Sequence, residues 1–143
     1  AEYPNSEKLK DGYIILASYY SEKDDYKSAT EIYKTAFEKY GKSDFDLKQS
    51  YGDLLLTKGY KIMKNEKATN DDRNDGIKAE EESLEYVKGT VNEASAYYVM
   101  SELYFQNKNI KMANECIEKS IALFDKKSYR DQKAKINKQE AKN

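Results

Sequence analysis

Histidine is absent from the 143 residues, which removes Ser-His-Asp and Cys-His nucleophiles and histidine-built metal centres together. Carboxylates are plentiful, in clusters such as Asp24/Asp25, Asp71/Asp72 and Glu80/Glu81/Glu82. A general acid needs a carboxyl with a raised pKa in an apolar cleft, whereas these lie in polar runs that decorate solvated faces. Asp71-Asp72-Arg73-Asn74-Asp75-Gly76 with Glu82 meets the calcium-loop pattern at its first, fifth, sixth and twelfth positions. Arg73 takes the third position, where a cation needs an oxygen, so a capped polar loop between helices is the simpler expectation. The glycines are scattered singly and form no phosphate cradle. Cys116 lies between Glu115 and Ile117 in a helical pattern, with no base to activate it, and reads as a small apolar filler. The sequence thus points to no catalytic residue, metal or cofactor, and to a protein that is not an enzyme.

The elements that would position any functional residue are helices. A charged content of 36% with one proline and six glycines favours long amphipathic helices over loops. Fourteen tyrosines without a tryptophan make the core amphipathic, since each buried hydroxyl needs a partner. No apolar run approaches the roughly 20 residues of a membrane span, and no signal-peptide pattern is present, so the expectation is a soluble protein. From Lys126 onward seven basic residues face two acidic ones. That tail lacks interleaved aromatics for base stacking and a strong apolar face for lipid, so a solvated terminal helix is expected and no nucleic acid.

The organising stretch is Tyr13 to Ala36. Tyr13, Leu16, Ala17 and Tyr20 recur at helical spacing, and beyond a polar turn so do Tyr26, Ala29, Tyr33 and Ala36. The first helix should run from a cap at Ser6 or Asn5 to about Ser21, and the second from about Asp24 to Tyr40, where Gly41 stops it. Aligning Tyr97 with Tyr13 without a gap puts Met100 on Leu16, Ser101 on Ala17, Tyr104 on Tyr20, Ala113 on Ala29, Ile117 on Tyr33 and Ser120 on Ala36. A middle unit is looser. Leu47, Tyr51, Gly52 and Leu55 lead a first helix to about Lys64, and Ile77, Leu84 and Val87 a second from Gly76 to Lys88. Roughly 16 extra residues separate its halves relative to a 34-residue period. Glu80 stands where a small residue is expected, which argues against close helix approach there.

These positions resemble the tetratricopeptide repeat, a helix pair with large residues at repeat positions 4, 7, 11 and 24 and small ones at 8, 20 and 27. Tyr3-Pro4-Asn5-Ser6 also resembles the Tyr-Pro-x-Ser closure of that family's bacterial envelope subgroup, and Tyr40-Gly41-Lys42-Ser43 is similar with glycine for proline. The resemblance implies an all-α, right-handed helical solenoid of three helix pairs with a C-terminal capping helix. Its units would be residues 6–41, residues 46–89 with the insertion around 58–75, residues 92–125, and a basic cap over 126–143 with fraying final turns. It implies a piece of a longer array, and the bacterial periplasm or envelope rather than the cytoplasm.

Family geometry further implies a concave groove. The groove positions here include Ile14, Ser18, Ser21 and Glu22 in the first unit, Gln49 and Asp53 in the second, and Tyr98, Glu102 and Phe105 in the third. Relatives that hold a peptide carboxylate use lysine, arginine and asparagine at such positions. This groove offers carboxylates beside aromatics instead, suited to a protein segment carrying Lys or Arg next to an apolar anchor. The expected role is a non-catalytic protein-protein interaction module. The alternative is a structural scaffold or self-association segment whose faces are covered by neighbouring repeats or by copies of the chain.

Overall fold

A computed structural model describes residues 6–142, with side chains from residue 8. The Tyr3-Pro4-Asn5 closure and the Ser6 or Asn5 cap lie outside what it describes. Among the described residues the protein is all-helical: α1 (Ser6–Glu22), α2 (Tyr26–Tyr40), α3 (Phe45–Lys64), α4 (Asn70–Val87), α5 (Val91–Gln106), α6 (Ile110–Leu123) and α7 (Lys127–Lys142). No helix is long and apolar enough to cross a membrane among those residues. The chain forms two compact units, one through Leu54 and the other from Leu55.

In the first unit α1 and α2 pack as an antiparallel pair. Ala17, Ala29 and Ala36 are fully buried at the crossing, and Tyr13 in the middle of α1 meets Tyr40 at the end of α2, ring centroids 6.3 Å apart. Small side chains let the backbones approach and aromatic rings fill the flanks. Gly41 ends α2 with φ of 95°, a conformation open to glycine, while its N–H donates to the Phe37 carbonyl at 2.8 Å. Tyr33 and Phe37 continue the aromatic core onto Tyr51 of α3, at 5.2 and 5.8 Å. Burial pushes the Tyr33 phenol up to about 12. The Lys10 ammonium bridges Asp44 and Asp46 at the start of α3, at 3.1 Å each. Burial works against the charged form of Asp44, but the Leu47 N–H and the Lys10 ammonium prevail and hold its carboxyl low.

In the second unit α5 and α6 repeat the pair. Here two crossing positions are serines, and each bonds across it. The Ser101 hydroxyl donates to the Ala113 carbonyl at 2.7 Å and the Ser120 hydroxyl to the Ala94 carbonyl at 2.6 Å. A buried hydroxyl needs such a partner, and the facing helix supplies it.

The connecting turns of the two pairs match in backbone conformation and in the side-chain cap. Asp24 and Lys108 occupy the same place and both adopt left-handed backbone, φ 61° and 66°. The next residues, Asp25 and Asn109, cap the following helices through Ser28 N–H at 3.1 Å and Met112 N–H at 3.2 Å. Their own N–H groups donate back to the carbonyls of Tyr20 at 2.9 Å and Tyr104 at 2.8 Å. The ungapped sequence correspondence therefore extends to turn conformation and capping. α2 starts at Tyr26, two residues after the expected Asp24, because Asp24 and Asp25 are spent on this turn.

The middle segment departs from expectation in two ways. α4 begins at Asn70 rather than Gly76, so residues 71–76 are helix and not loop. A capping box starts it: Thr69 Oγ accepts from Asp72 N–H at 3.1 Å, and the Asp72 carboxylate accepts from Thr69 N–H at 2.9 Å. The would-be calcium loop is therefore the opening turns of a helix. Secondly, α3 and α4 do approach closely despite Glu80, through a glycine on each helix. A Cβ on Gly76 would lie 3.6 Å from the Gly59 Cα, and one on Gly59 would lie 2.7 Å from the Glu80 Cγ and Cδ. Gly59, not the side chain at position 80, supplies the missing volume.

Candidate interaction surface

The groove positions fall on three helices. Ile14, Ser18, Ser21 and Glu22 share one side of α1; Ile14 and Ser21 are half-buried, and Ser18 and Glu22 are exposed. Gln49 and Asp53 share an exposed side of the first half of α3, where partial desolvation raises the Asp53 pKa. Tyr98, Glu102 and Phe105 follow one another along α5 at spacings of four and three, all half-buried. The structure brings these last three together, and it brings α7 onto them.

α7 carries Tyr129, Gln132 and Ile136 on its inner face, all buried against α5 and α6. The Tyr129 ring lies 5.1 Å from that of Tyr98. Lys135 reaches both oxygens of Glu102, at 3.0 and 2.9 Å, and its ammonium sits 4.7 Å from the centre of the Phe105 ring. An ammonium between a carboxylate and an aromatic face is doubly stabilised, by the ion pair and by the ring quadrupole. The acidic, aromatic surface expected to take a basic partner segment thus holds a lysine of the chain's own terminal helix. Lys133 repeats the theme on α6, bonding Glu118 at 2.9 Å together with the Asn114 carbonyl. Glu118 is held below the usual carboxylate range by that ammonium. These contacts engage Lys133 and Lys135, two of the seven basic residues of the tail.

An open cleft of about 520 Å³ remains past Lys135, lined by Glu102, Phe105, Gln106, Lys108, Ile110 and Gln139. Its apolar floor is Phe105 and Ile110, and its rim is amide and charge. Gln106 is tied in place, its side-chain amide donating to the Met63 carbonyl at 3.2 Å.

Two strongly shifted groups lie away from this surface. Glu80 is fully buried with neither carboxyl oxygen hydrogen-bonded, and burial pushes its pKa up to about 9. Ser83, one turn on, donates its hydroxyl at 2.6 Å to the Glu80 backbone carbonyl, not to the carboxyl. Burial likewise raises the Cys116 thiol to about 11, in keeping with its filler role. Arg73, which broke the calcium pattern, ties the start of α4 to the end of α5. Its Nε donates to the Asn107 side-chain carbonyl at 2.5 Å and Nη1 to the Ala68 carbonyl at 2.7 Å. The spacing of Tyr129, Gln132 and Ile136 could have marked the inner face of α7 in advance. The Lys135 contact could not be found that way, because it joins residues far apart in sequence.

No family model, curated protein or solved structure matches this chain.

Proposed function

We propose that the chain is a non-catalytic interaction module of tetratricopeptide-like build, using the α5 positions Tyr98, Glu102 and Phe105 to take basic, amphipathic protein segments. The observation that carries this is Lys135, seated on Glu102 and Phe105 as a ligand lysine would be. It supports a surface suited to an ammonium beside an apolar group, and the adjoining cleft leaves room for a further apolar side chain. A non-catalytic role fits the placement of the strongly shifted groups: Tyr33, Glu80 and Cys116 are all buried in helix packing and line no part of the open cleft.

The test is a set of helical peptides with a lysine beside an aromatic or aliphatic anchor, titrated by fluorescence anisotropy against the wild type and the variant Glu102→Lys. The wild type should bind in a salt-dependent way and the variant at least about tenfold more weakly, a difference of ~1.4 kcal/mol. Equal affinity for charge-reversed peptides, or no loss in the variant, would refute the assignment.

A second reading, structural scaffold or self-association segment, is favoured by one specific feature: the outer face of α1 exposes Ile15, Leu16 and Tyr19 at 69%, 47% and 50%.

A further inference from the structure

The links between helices differ in what stops them. Asp24, Gly41, Gly89 and Lys108 take left-handed backbone in four of the links, and the Thr69 capping box closes the link from α3 to α4. The link from α6 to α7, residues 124–126, has neither device. Phe124 is extended, with φ −157° and ψ 106°, and Lys126 stands just before α7, where a side chain without an acceptor cannot cap. No glycine or proline follows Gly89, so no residue here forbids a continuous helix. Arg130 ties the link to Asp125 at 2.6 Å, but this is an exposed ion pair of a kind worth little. Leu123 and Phe124 are left exposed at the break.

The seat under α7 is, by contrast, chemically specific. Tyr129 and Ile136 complete an apolar cluster with Ala113 and Ile117. The Gln132 side-chain amide donates to Ser101 Oγ at 3.5 Å, and the Tyr129 hydroxyl meets Ser95 Oγ at 3.4 Å. Lys133 and Lys135 pair with Glu118 and Glu102 on the two helices beneath. An aromatic, a buried amide, an aliphatic and two lysines at these spacings describe α7 itself, so the segment that matches the seat best is the α7 of a second copy.

We propose that two copies of the chain exchange α7, residues 124–126 straightening so that α6 and α7 run on as one helix and each α7 fills the other copy's seat. Every contact of the seat is kept, and the partner's Lys135 then sits on Glu102 and Phe105. Straightening pairs helix-end groups that the break leaves to solvent, and it brings Leu123 and Phe124 into the middle of the long helix, beside the two-fold axis. The exchange uses neither the outer face of α1 nor any other occupant of the α5 surface.

The chain, unfolded in urea and refolded over a range of protein concentrations, is sized by light scattering. The wild type should give a dimer whose share rises with concentration. Two changes in the link should act in opposite directions. Lys127→Pro places proline at the first position of α7, which the folded-back helix tolerates but a continuous helix does not, and the association constant should fall at least about a hundredfold. Deleting residues 125 and 126 leaves Phe124 alone between the helices, too short a link to reverse the chain, and should give a dimer at every concentration. A wild type that stays monomeric throughout overturns the exchange. So does a dimer that Lys127→Pro leaves intact, or a deletion variant that is folded and monomeric. Lys127→Pro keeps the test decisive even where the deletion variant does not fold.

Discussion

α1–α2 and α5–α6 are one design in two settings. The turn between the helices is the same in both, down to the left-handed residue and the side-chain cap, and the small-residue crossing is the same in kind. Their surroundings differ. α5 is covered on one side by α4 and on another by α7, and its Val99, Met100 and Leu103 are buried. α1 has the corresponding side in solvent. What holds each pair together is therefore local, a turn and a crossing, whereas the exposure of the flanks depends on what lies alongside. The same apolar stripe is core in one setting and a sticky surface in the other.

The largest expected break in this comparison comes from truncating equivalent residues. Leu103→Ala should cost about 3 kcal/mol, as a fully buried leucine does, while Tyr19→Ala should cost under about 1 kcal/mol. Urea midpoints with unchanged slopes would measure both. Similar losses would mean that α1 is covered in solution.

Glu80, on the helix that covers α5, comes next. Its folded-state pKa of about 9 lies above its ordinary 4.5, so the neutral form is the one the fold tolerates. The stability it permits is fully present below about pH 4.5 and is lost as pH rises toward 9, by up to ~1.4 kcal/mol per pH unit. Glu80→Met should flatten the stability profile between pH 5 and 8.5 and raise stability at pH 8 by about 2 kcal/mol. A profile with the same slope in both proteins would place the carboxyl in water.

Glycines sharpen the contrast further because their expected effects have opposite sign. Gly12→Ala on α1 meets nothing within 4 Å and should stabilise by about 0.5–1 kcal/mol, through helix propensity alone. Gly59→Ala drives a methyl group into the buried Glu80 side chain and should cost about 1–3 kcal/mol. Combining Gly59→Ala with Glu80→Ala should recover part of that loss, and strict additivity would show that the two residues do not touch.

The smallest effect belongs to the lysine clasp. Lys135→Ala should cost under about 1 kcal/mol and the loss should shrink with added salt, since this lysine is 46% exposed. By the proposed function the same change should raise affinity for lysine-bearing peptides, because it vacates Glu102 and Phe105.

Much of the helical pattern was legible in the sequence, and the physics says why the rest was not. Alternating large and small residues at helical spacing mark α1, α2, α5 and α6, because that pattern is what a close crossing requires. The early start of α4 was written in Thr69 and Asp72, a capping box hidden inside a run that reads as polar loop. Glu80 misled for a different reason. A large residue at a crossing is compatible with close approach when glycine faces it, and which glycine faces it is a tertiary fact. The groove positions on α5 were legible as acidic and aromatic, but not their engagement by Lys135, which depends on α7 folding back.

The central claim, that residues 6–40 and 91–123 are the same unit, is tested most directly by spin-label distances. With Cys116→Ser as background, labels at residues 8 and 38 and, separately, at the equivalent residues 92 and 122 span the same part of each helix pair. The account predicts one common, narrow distance for both pairs. Two different distances, or a broad distribution confined to the first pair, would contradict it.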